Sequence, residues 1–477
     1  MRLRLCLCRL CLRLCGRGEI DMKIKDFFKN EKPIEAGIYH SRVTGEDGGN
    51  YRLHLRVMEG GNSILSINAA RILHLNPTAT EFAKLIVEGR SEDETVKIVK
   101  GRYRGVNKET LREEYRKLRD LIDSMSIMED VCPITYLDVE RIEPFSTPSN
   151  APYRMDLALT YRCNNDCGHC YVDRDKGDGS GELTTDQWKR VMEKLWDLGI
   201  FHVAFTGGEA TMRDDLPELV GTAEDLGMVA GLLTNGRRLM DKKYIGRLIE
   251  EGIDYFQITL ESSDKKIHNR MVGVKGKVDA WDETVKGIKN AAKSPIHTIT
   301  NTTITKHNVK TLSKTVDFIA TLGVNAFAMN GIIYSGGAKG GEMAISEEAL
   351  PEILQEVIDS AERNDLRFIW YTPTQYCKFN PVEMNLGMKQ CTAGKFNMCI
   401  EPNGDALPCQ SYYEPVGNIL EDEWDNIWNH PLLISIRNRE YIMDKCRECE
   451  ELALCGGGCP LEIKHGEFIC AESMSNP

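Results

Sequence analysis

A regular alternation of strand-like and helix-like segments fills the middle of this chain, from residue 154 to about residue 335. Amphipathic helical segments, several of them ending in glycine, separate short stretches of β-branched and aromatic residues. Such an alternation predicts a parallel sheet with right-handed crossovers, and six units are too few to close an eight-fold barrel. We therefore expect an α/β fold built on a partial, TIM-like (β/α)6 barrel. The predicted strands are residues 154–161, 202–207, 229–236, 254–261, 297–304 and 325–332.

The ends of these predicted strands carry residues that can bind ligands or take part in catalysis. Cys163, Gly207, Asn235 and Glu261 each lie at or just beyond the C-terminal end of a predicted strand. In barrels of this kind the functional residues lie at that end of the strands. The sequence therefore predicts a site there.

Composition excludes several classes of function. No apolar run reaches the roughly 18 residues that a membrane-spanning helix needs, and a net charge of −12 argues against a general nucleic-acid binder. Arginines interrupt the apolar N-terminus, which is therefore not a secretory signal, although a basic membrane-surface arm is an alternative. We expect synthesis to begin at Met22 and the chain to have no nucleic-acid or membrane partner.

The 17 cysteines are unevenly distributed. Cys163, Cys167 and Cys170 form a C-x3-C-x2-C motif, and eight more lie between residues 391 and 470. A disulfide framework suits short secreted chains better than this one, so we interpret the clustered cysteines as metal ligands in a reducing compartment. We expect Cys132 and Cys377, which stand alone, to be buried free thiols.

Counting the clustered cysteines leaves the first motif one ligand short. Tetrahedral sulfur sites bind zinc or iron–sulfur clusters, and eight thiolates can complete two such sites. A cluster held by three cysteines keeps one iron free to bind a small molecule with an amine and a carboxylate. Zinc at one or both C-terminal sites is the alternative. The eight cysteines are Cys391, Cys399, Cys409, Cys446, Cys449, Cys455, Cys459 and Cys470.

These motifs resemble those of one superfamily. The three-cysteine motif, followed by the aromatic Tyr171, is similar to the motif of the radical S-adenosylmethionine (SAM) enzymes. "GGE" at Gly207–Glu209 resembles that family's motif for the methionine amino group of SAM. The C-terminal cysteine spacing resembles the SPASM domain of PqqE-like peptide maturases, which binds auxiliary clusters. Residues 51–127, two strand-like segments and three helical ones, resemble a winged-helix-like PqqD domain.

The resemblance implies a mechanism. In this family the open iron of a [4Fe–4S] cluster binds SAM, and the reduced cluster passes one electron to the sulfonium. The C5′–S bond breaks, and the 5′-deoxyadenosyl radical takes a hydrogen atom from the substrate. The cofactor supplies the radical, and the protein orients it. The resemblance thus implies SAM and three [4Fe–4S] clusters as cofactors, one binding SAM and two auxiliary.

Residue roles follow from the same resemblance. The first three cysteines would hold the SAM-binding cluster, Gly207 and Gly208 would let the backbone approach SAM, and Glu209 would accept from its ammonium. Asn235, Glu261 and Ser262 resemble positions that line the ribose and adenine pocket, although ordinary turns explain them nearly as well. Arg270 would meet the SAM carboxylate or stay a solvated surface residue. His169 is interpreted as a variable loop position.

The family assigns the auxiliary ligands in an interleaved way. One cluster would use Cys391, Cys409 and Cys459, with Cys399 as the fourth ligand. The other would use Cys446, Cys449, Cys455 and Cys470. Sulfatase-maturing members carry an aspartate base after the cysteine that corresponds to Cys409; here the position is Gln410, which accepts no proton usefully. This departure argues against that reaction, and no catalytic base is assigned.

The resemblance also implies an organisation and a substrate. We expect a ribosomally made precursor peptide whose leader binds residues 51–127, an electron donor such as ferredoxin or flavodoxin, and an oxygen-poor cytoplasm. A tetrapyrrole or other small-molecule substrate is the alternative, and a non-catalytic iron–sulfur carrier is the third. The expected segments are 1–50, an extension; 51–127, the PqqD-like domain; 128–153, a proline-rich linker; 154–340, the barrel; 341–390, a connection; and 391–477, the SPASM domain.

Overall fold

A computed structural model of the chain describes residues 19–20, 34–44, 50–68, 71–103, 105–127, 149–172, 181–274 and 278–465. Met22, most of the expected linker, Cys132 and Cys470 lie outside the described residues. The chain forms two compact units. The first contains the described residues up to 127 together with Leu195–Phe201, and the second contains the other described residues from 149 onward.

The first unit combines one sheet with three helices. The sheet order is β1-β5-β4-β3-β2, with β2 to β5 antiparallel and β1 parallel to β5. The side chains of Asn76 and Ser91 cap the first two helices, and Ser91 forms a capping box with Glu94. Apolar side chains such as Phe82 and Leu111, both fully buried, fill its core. The elements are β1 (Glu19–Ile20), β2 (Gly37–Thr44), β3 (Asn50–Val57), β4 (Ser63–Ile67), β5 (Arg71–Leu75), α1 (Pro77–Val87), α2 (Glu92–Arg102) and α3 (Lys108–Ile127).

The second unit is built on a nine-stranded sheet of order β12-β11-β10-β9-β8-β7-β6-β13-β14. The predicted α/β fold and its six parallel strands, β6 to β11, are confirmed. Nearly all residues of β6, β7 and β8 are buried on both faces, as expected for parallel strands covered by helices. The strands are β6 (Arg154–Thr160), β7 (His202–Gly207), β8 (Val229–Thr234), β9 (Tyr255–Thr259), β10 (His297–Thr303), β11 (Ala326–Asn330), β12 (Arg367–Trp370), β13 (Asn397–Ile400) and β14 (Ala406–Leu407).

Helices connect the parallel strands, and shorter ones follow β14. Each long helix directs an apolar stripe at the sheet, with Trp188 fully buried in the first of them. No described helix is both long and apolar enough to cross a membrane. The helices are α4 (Thr185–Asp197), α5 (Leu216–Leu226), α6 (Lys242–Glu250), α7 (Lys265–Met271), α8 (Ala280–Ala292), α9 (Leu312–Ala320), α10 (Leu350–Arg363), α11 (Trp424–Trp428), α12 (Pro431–Arg437), α13 (Asp444–Arg447), α14 (Leu452–Cys455) and α15 (Pro460–His465).

The C-terminal region extends the barrel sheet. β13 runs parallel to β6, with Cys399 opposite Asp156, and β14 folds back antiparallel on β13. The side-chain amide of Asn397 donates to Asp156 Oδ2 at 3.1 Å and strengthens this junction. The sequence pattern did not predict the pairing, because a four-residue strand within a cysteine-rich segment has no readable periodicity.

Candidate functional site

The cysteine loop, residues 161–172, follows β6 at the C-terminal end of the barrel strands. Cys163 is exposed, and Cys167 and Cys170 are half-buried. Gly208 N donates to Thr160 O at 2.7 Å and Glu209 N donates to Arg162 O at 3.0 Å, so the end of β7 fixes the start of the loop. The structure therefore brings the three-cysteine motif and the GGE motif together, as the sequence predicts.

Glycine is required at both positions of the GGE motif by close contact within the protein. Gly207 has a φ of +135°, and a Cβ there would lie 2.1 Å from Thr160 O. A Cβ on Gly208 would lie 2.4 Å from Tyr161 O. The family resemblance assigns these glycines to a close approach by SAM. The structure adds a second reason, because they let β7 pack against the base of the cysteine loop.

Glu209 is buried, at 1% exposure, and its carboxylate accepts several hydrogen bonds. Oε1 accepts from Thr211 N at 3.1 Å, Thr211 Oγ1 at 2.7 Å and Thr234 Oγ1 at 2.8 Å. Oε2 accepts from Asn235 N at 2.8 Å. Since Thr234 ends β8 and Asn235 follows it, Glu209 joins the ends of β7 and β8.

The end of β8 also reaches the cysteine loop. Asn235 Nδ2 donates to Asn164 Oδ1 at 2.6 Å, and Arg237 donates to Asn165 Oδ1 at 2.9 Å. Arg237 is itself held by Glu283 at 2.5 Å. Arg237 is not predicted from the sequence, because no motif marks it and its contact depends on how close the cysteine loop lies.

Glu261 and Ser262 follow β9 and are both fully buried. Glu261 Oε1 lies 2.8 Å from His169 Nε2, and Ser262 Oγ lies 3.1 Å from Thr311 Oγ1. Arg270, on α7, is exposed. The structure thus places Glu261 against the cysteine loop, while Ser262 contacts Thr311, which directly precedes α9.

Tyr171 connects the cysteine loop to the C-terminal region. Its phenol donates to Gln410 Oε1 at 3.3 Å, and Gly336 packs so closely on its backbone that a Cβ would lie 2.5 Å from Tyr171 O. Tyr161, earlier in the loop, donates to Glu401 Oε1 at 2.8 Å. Gln410 follows Cys409 directly. The loop that carries the first three cysteines is therefore hydrogen-bonded to the segment that carries Cys409.

The C-terminal cysteines form two groups among the described residues. Cys391, Cys409 and Cys459 pack on one apolar cluster that contains Tyr412 and Leu461. Burial raises the pKa of Cys409 to about 12 and that of Cys459 to about 11, and the proximity of Cys459 contributes to the first of these shifts.

The second group contains Cys446, Cys449 and Cys455. Burial raises the pKa of Cys455, and the two other thiols add to this rise because they lie close to it. Cys399 is completely buried on β13 and packs with Ala158 and Leu407. Cys409 contributes to the raised pKa of Cys399, although burial is its main cause. Cys377 is exposed rather than buried as the sequence analysis expected.

The donor set suits iron–sulfur clusters. Within the described ranges, no three His, Cys, Asp or Glu side chains converge closely enough to share one metal ion. The thiols form looser groups, and a [4Fe–4S] cube binds each thiolate through a different iron. Three thiols in one short loop at the open end of the strands fit such a cube with one iron left without a cysteine.

Two parts of the chain match known protein families. Residues 157–319 match the model of the radical SAM superfamily, and residues 391–450 match that of SPASM, an iron-sulfur cluster-binding domain. The PqqA peptide cyclase of Granulibacter bethesdensis is 26% identical over 320 residues, which are 65% of this chain and 82% of the relative.

Solved structures share the fold. SuiB of Streptococcus suis, bound to its precursor peptide SuiA, superposes with a TM-score of 0.60 at 20% identity over 88% of this chain and 96% of SuiB. The protein anSMEcpe, with bound AdoMet and a Kp18Cys peptide, gives a TM-score of 0.51 at 16% identity over 65% of this chain and 89% of that one. At these identities the likeness concerns the fold alone.

Proposed function

We propose that this chain, which is a radical SAM enzyme with a SPASM domain, modifies a ribosomally made precursor peptide. When bound, SAM and the cluster supply a 5′-deoxyadenosyl radical that abstracts hydrogen. The observation that carries the proposal is the cysteine loop, with Cys163 exposed and with its base fixed by Gly208 and Glu209 at the ends of the barrel strands. The similarity to the PqqA peptide cyclase supports a peptide as substrate.

The first unit would recognise the leader of that peptide. In its sheet, β1 pairs with β5 at His74 and Leu75. β5 therefore lies one short strand from the edge of the sheet. An extended peptide can add to such an edge through main-chain hydrogen bonds, with specificity from alternate side chains. We assign leader binding to residues 51–127 on this basis.

The cysteines of the loop, Glu209 and Asn235 keep the roles that the resemblance implies, with one distinction for Glu209. Cys163, Cys167 and Cys170 would hold the SAM-binding cluster. The carboxylate of Glu209 accepts most of its hydrogen bonds from the protein, so it would hold the end of β8 in place. Its remaining acceptor capacity would serve the SAM ammonium. Asn235 would line the SAM pocket from the end of β8.

The two auxiliary clusters would be held by the C-terminal thiols. Cys391, Cys399, Cys409 and Cys459 would bind one cluster, and the second would use Cys446, Cys449, Cys455 and Cys470. A small reducing protein of the ferredoxin or flavodoxin type would supply electrons, and the cytoplasm would supply the reducing compartment. Gln410 cannot serve as a base, and no other residue is assigned that role.

Anaerobic turnover tests the function. The reconstituted enzyme is incubated with SAM, dithionite and the peptide encoded by a short reading frame beside its gene. We expect release of 5′-deoxyadenosine together with a change in peptide mass. The matched control is Cys163→Ala, which should abolish both. Consumption of a tetrapyrrole, with the peptide mass unchanged, would overturn the peptide proposal in favour of the small-molecule alternative.

A further inference from the structure

Glu261 is a carboxylate in a place where carboxylates are costly. It follows β9, is 1% exposed, and accepts through Oε2 from Thr303 N at 2.9 Å. Its Oε1 lies 2.8 Å from His169 Nε2. Because an ionised carboxylate can only accept hydrogen bonds, the imidazole is the donor. A buried carboxylate needs such partners, since an unpaired buried charge is strongly destabilising.

The backbone of Glu261 is held as firmly as its side chain. Glu261 N donates to His268 Nδ1 at 3.2 Å, and Asn308 Nδ2 donates to Glu261 O at 2.8 Å. His268 accepts through Nδ1, and burial lowers its pKa to about 4, so it stays neutral near pH 7. His268 therefore fixes the main chain of Glu261 and adds no positive charge beside its carboxylate.

His169 occupies an equally specific place. It lies between Cys167 and Cys170 in the chain, and its side chain is 8% exposed. Two backbone bonds also support this part of the loop, from Asp166 N to Val272 O at 2.9 Å and from Gly168 N to Met271 O at 3.3 Å. The imidazole adds a buried side-chain bond that reaches from the cysteine loop to the ends of β9 and β10.

We propose that Glu261 and His169 are a positioning pair that fixes the orientation of Cys167 and Cys170. The pair would act on SAM through the cysteine loop, because a displaced thiol would displace the cluster that the loop is proposed to hold. A charge-assisted bond in a buried place resists such rotation more strongly than a neutral surface contact. The inference rests on the proposed cluster site in the cysteine loop and is independent of which substrate the enzyme modifies.

Two substitutions at one position test the pair. His169→Phe keeps a ring of similar size without the donor, whereas His169→Gln keeps a donor that can reach Glu261. Each reconstituted enzyme is titrated with SAM, and electron paramagnetic resonance spectra of the dithionite-reduced form are recorded with and without SAM. For His169→Phe we expect roughly tenfold weaker SAM binding and a changed spectrum of the SAM-bound cluster. For His169→Gln we expect both properties to stay near those of the unaltered enzyme.

A control separates positioning from general loss of stability. Thr315→Val removes a buried hydroxyl that accepts from Ser263 N at 3.0 Å, two residues beyond Glu261, without touching the cysteine loop. This variant should unfold at a lower temperature and keep the unaltered spectrum and SAM affinity. The proposal is overturned if His169→Phe matches the unaltered enzyme, or if His169→Gln loses as much as His169→Phe. If SAM leaves the spectrum of the unaltered enzyme unchanged, the proposed function itself fails.

Discussion

The phenol of Tyr171 donates a hydrogen bond of 3.3 Å to Oε1 of Gln410, which lies 239 residues further along the chain. Tyr171 follows Cys170 and Gln410 follows Cys409, so the neighbours of two proposed cluster ligands are bonded to each other. Ser335 Oγ adds a nearby link by donating to Ser411 O at 2.6 Å. A direct hydrogen bond thus joins the segments that carry the proposed SAM-binding and auxiliary ligands.

Removing the hydroxyl of Tyr171 tests its hydrogen bond to Gln410. Tyr171→Phe should lower the free energy of unfolding by about 0.5–1.5 kcal/mol, the usual net value of one hydrogen bond. The measurement is anaerobic urea unfolding. Tyr244→Phe is the matched control, because the Tyr244 hydroxyl is buried with no hydrogen-bond partner in the described part of the chain, so its loss should be neutral or stabilising. Equal effects of the two substitutions would contradict the prediction.

The glycines of the GGE motif predict a steric effect. Gly207→Ala should prevent the cysteine loop from packing and abolish SAM cleavage, because the new Cβ would meet Thr160 O at 2.1 Å. Gly246→Ala, within α6, is the control, since a Cβ there meets no heavy atom within 4 Å. It should raise stability by roughly 0.5–1 kcal/mol. Thermal unfolding and 5′-deoxyadenosine yield measure the two effects; normal cleavage by Gly207→Ala would refute the steric account.

A buried carboxyl outside the cysteine loop predicts a pH dependence. Burial, with Glu462 nearby, raises the pKa of Glu347 from its ordinary 4.5 to about 8, although Gln375 N donates to it at 3.2 Å. Between these values the unfolded chain has lost the proton that the folded chain keeps. The folded state therefore binds more protons there, and stability falls as pH rises from 4.5 to 8.

Glu347→Gln should remove this dependence. We expect a gain on the order of 1 kcal/mol or more at pH 8 and little gain at pH 5, measured as thermal unfolding midpoints across that range. Glu362→Gln, at an exposed position near the end of α10, should leave the slope as it is. A slope that persists in Glu347→Gln would show that other groups cause it.

The fourth proposed ligand of one auxiliary cluster predicts a change in iron content. Cys399→Ala should lose iron and sulfide equivalent to one auxiliary cluster, because the proposal makes its buried thiol one of the four ligands. Cys377→Ala, which removes an exposed thiol, should retain the full content. Full iron content in Cys399→Ala would exclude this cysteine as a ligand.

The sequence predicted what depends on local pattern. β7 was predicted at the residues it occupies, because a buried hydrophobic run ends there at two glycines. The placement of the cysteine loop beside the GGE motif followed from the rule that parallel strands end at one rim. The role of His169 was missed, because its partner Glu261 lies 92 residues away and only tertiary packing brings them together. The pairing of β13 with β6 was not predicted either, because the two strands lie far apart in the sequence.

The pairing of β6 with β13 has a consequence for folding during translation. β6 opens the barrel, yet one of its neighbours lies about 240 residues later, as the bond from Asn397 to Asp156 shows. During translation the barrel strands emerge first and leave the hydrophobic edge of β6 unpaired until the C-terminal region leaves the ribosome. Such an edge favours association with other chains. The nascent chain can therefore complete this sheet only after its C-terminal region has been synthesised.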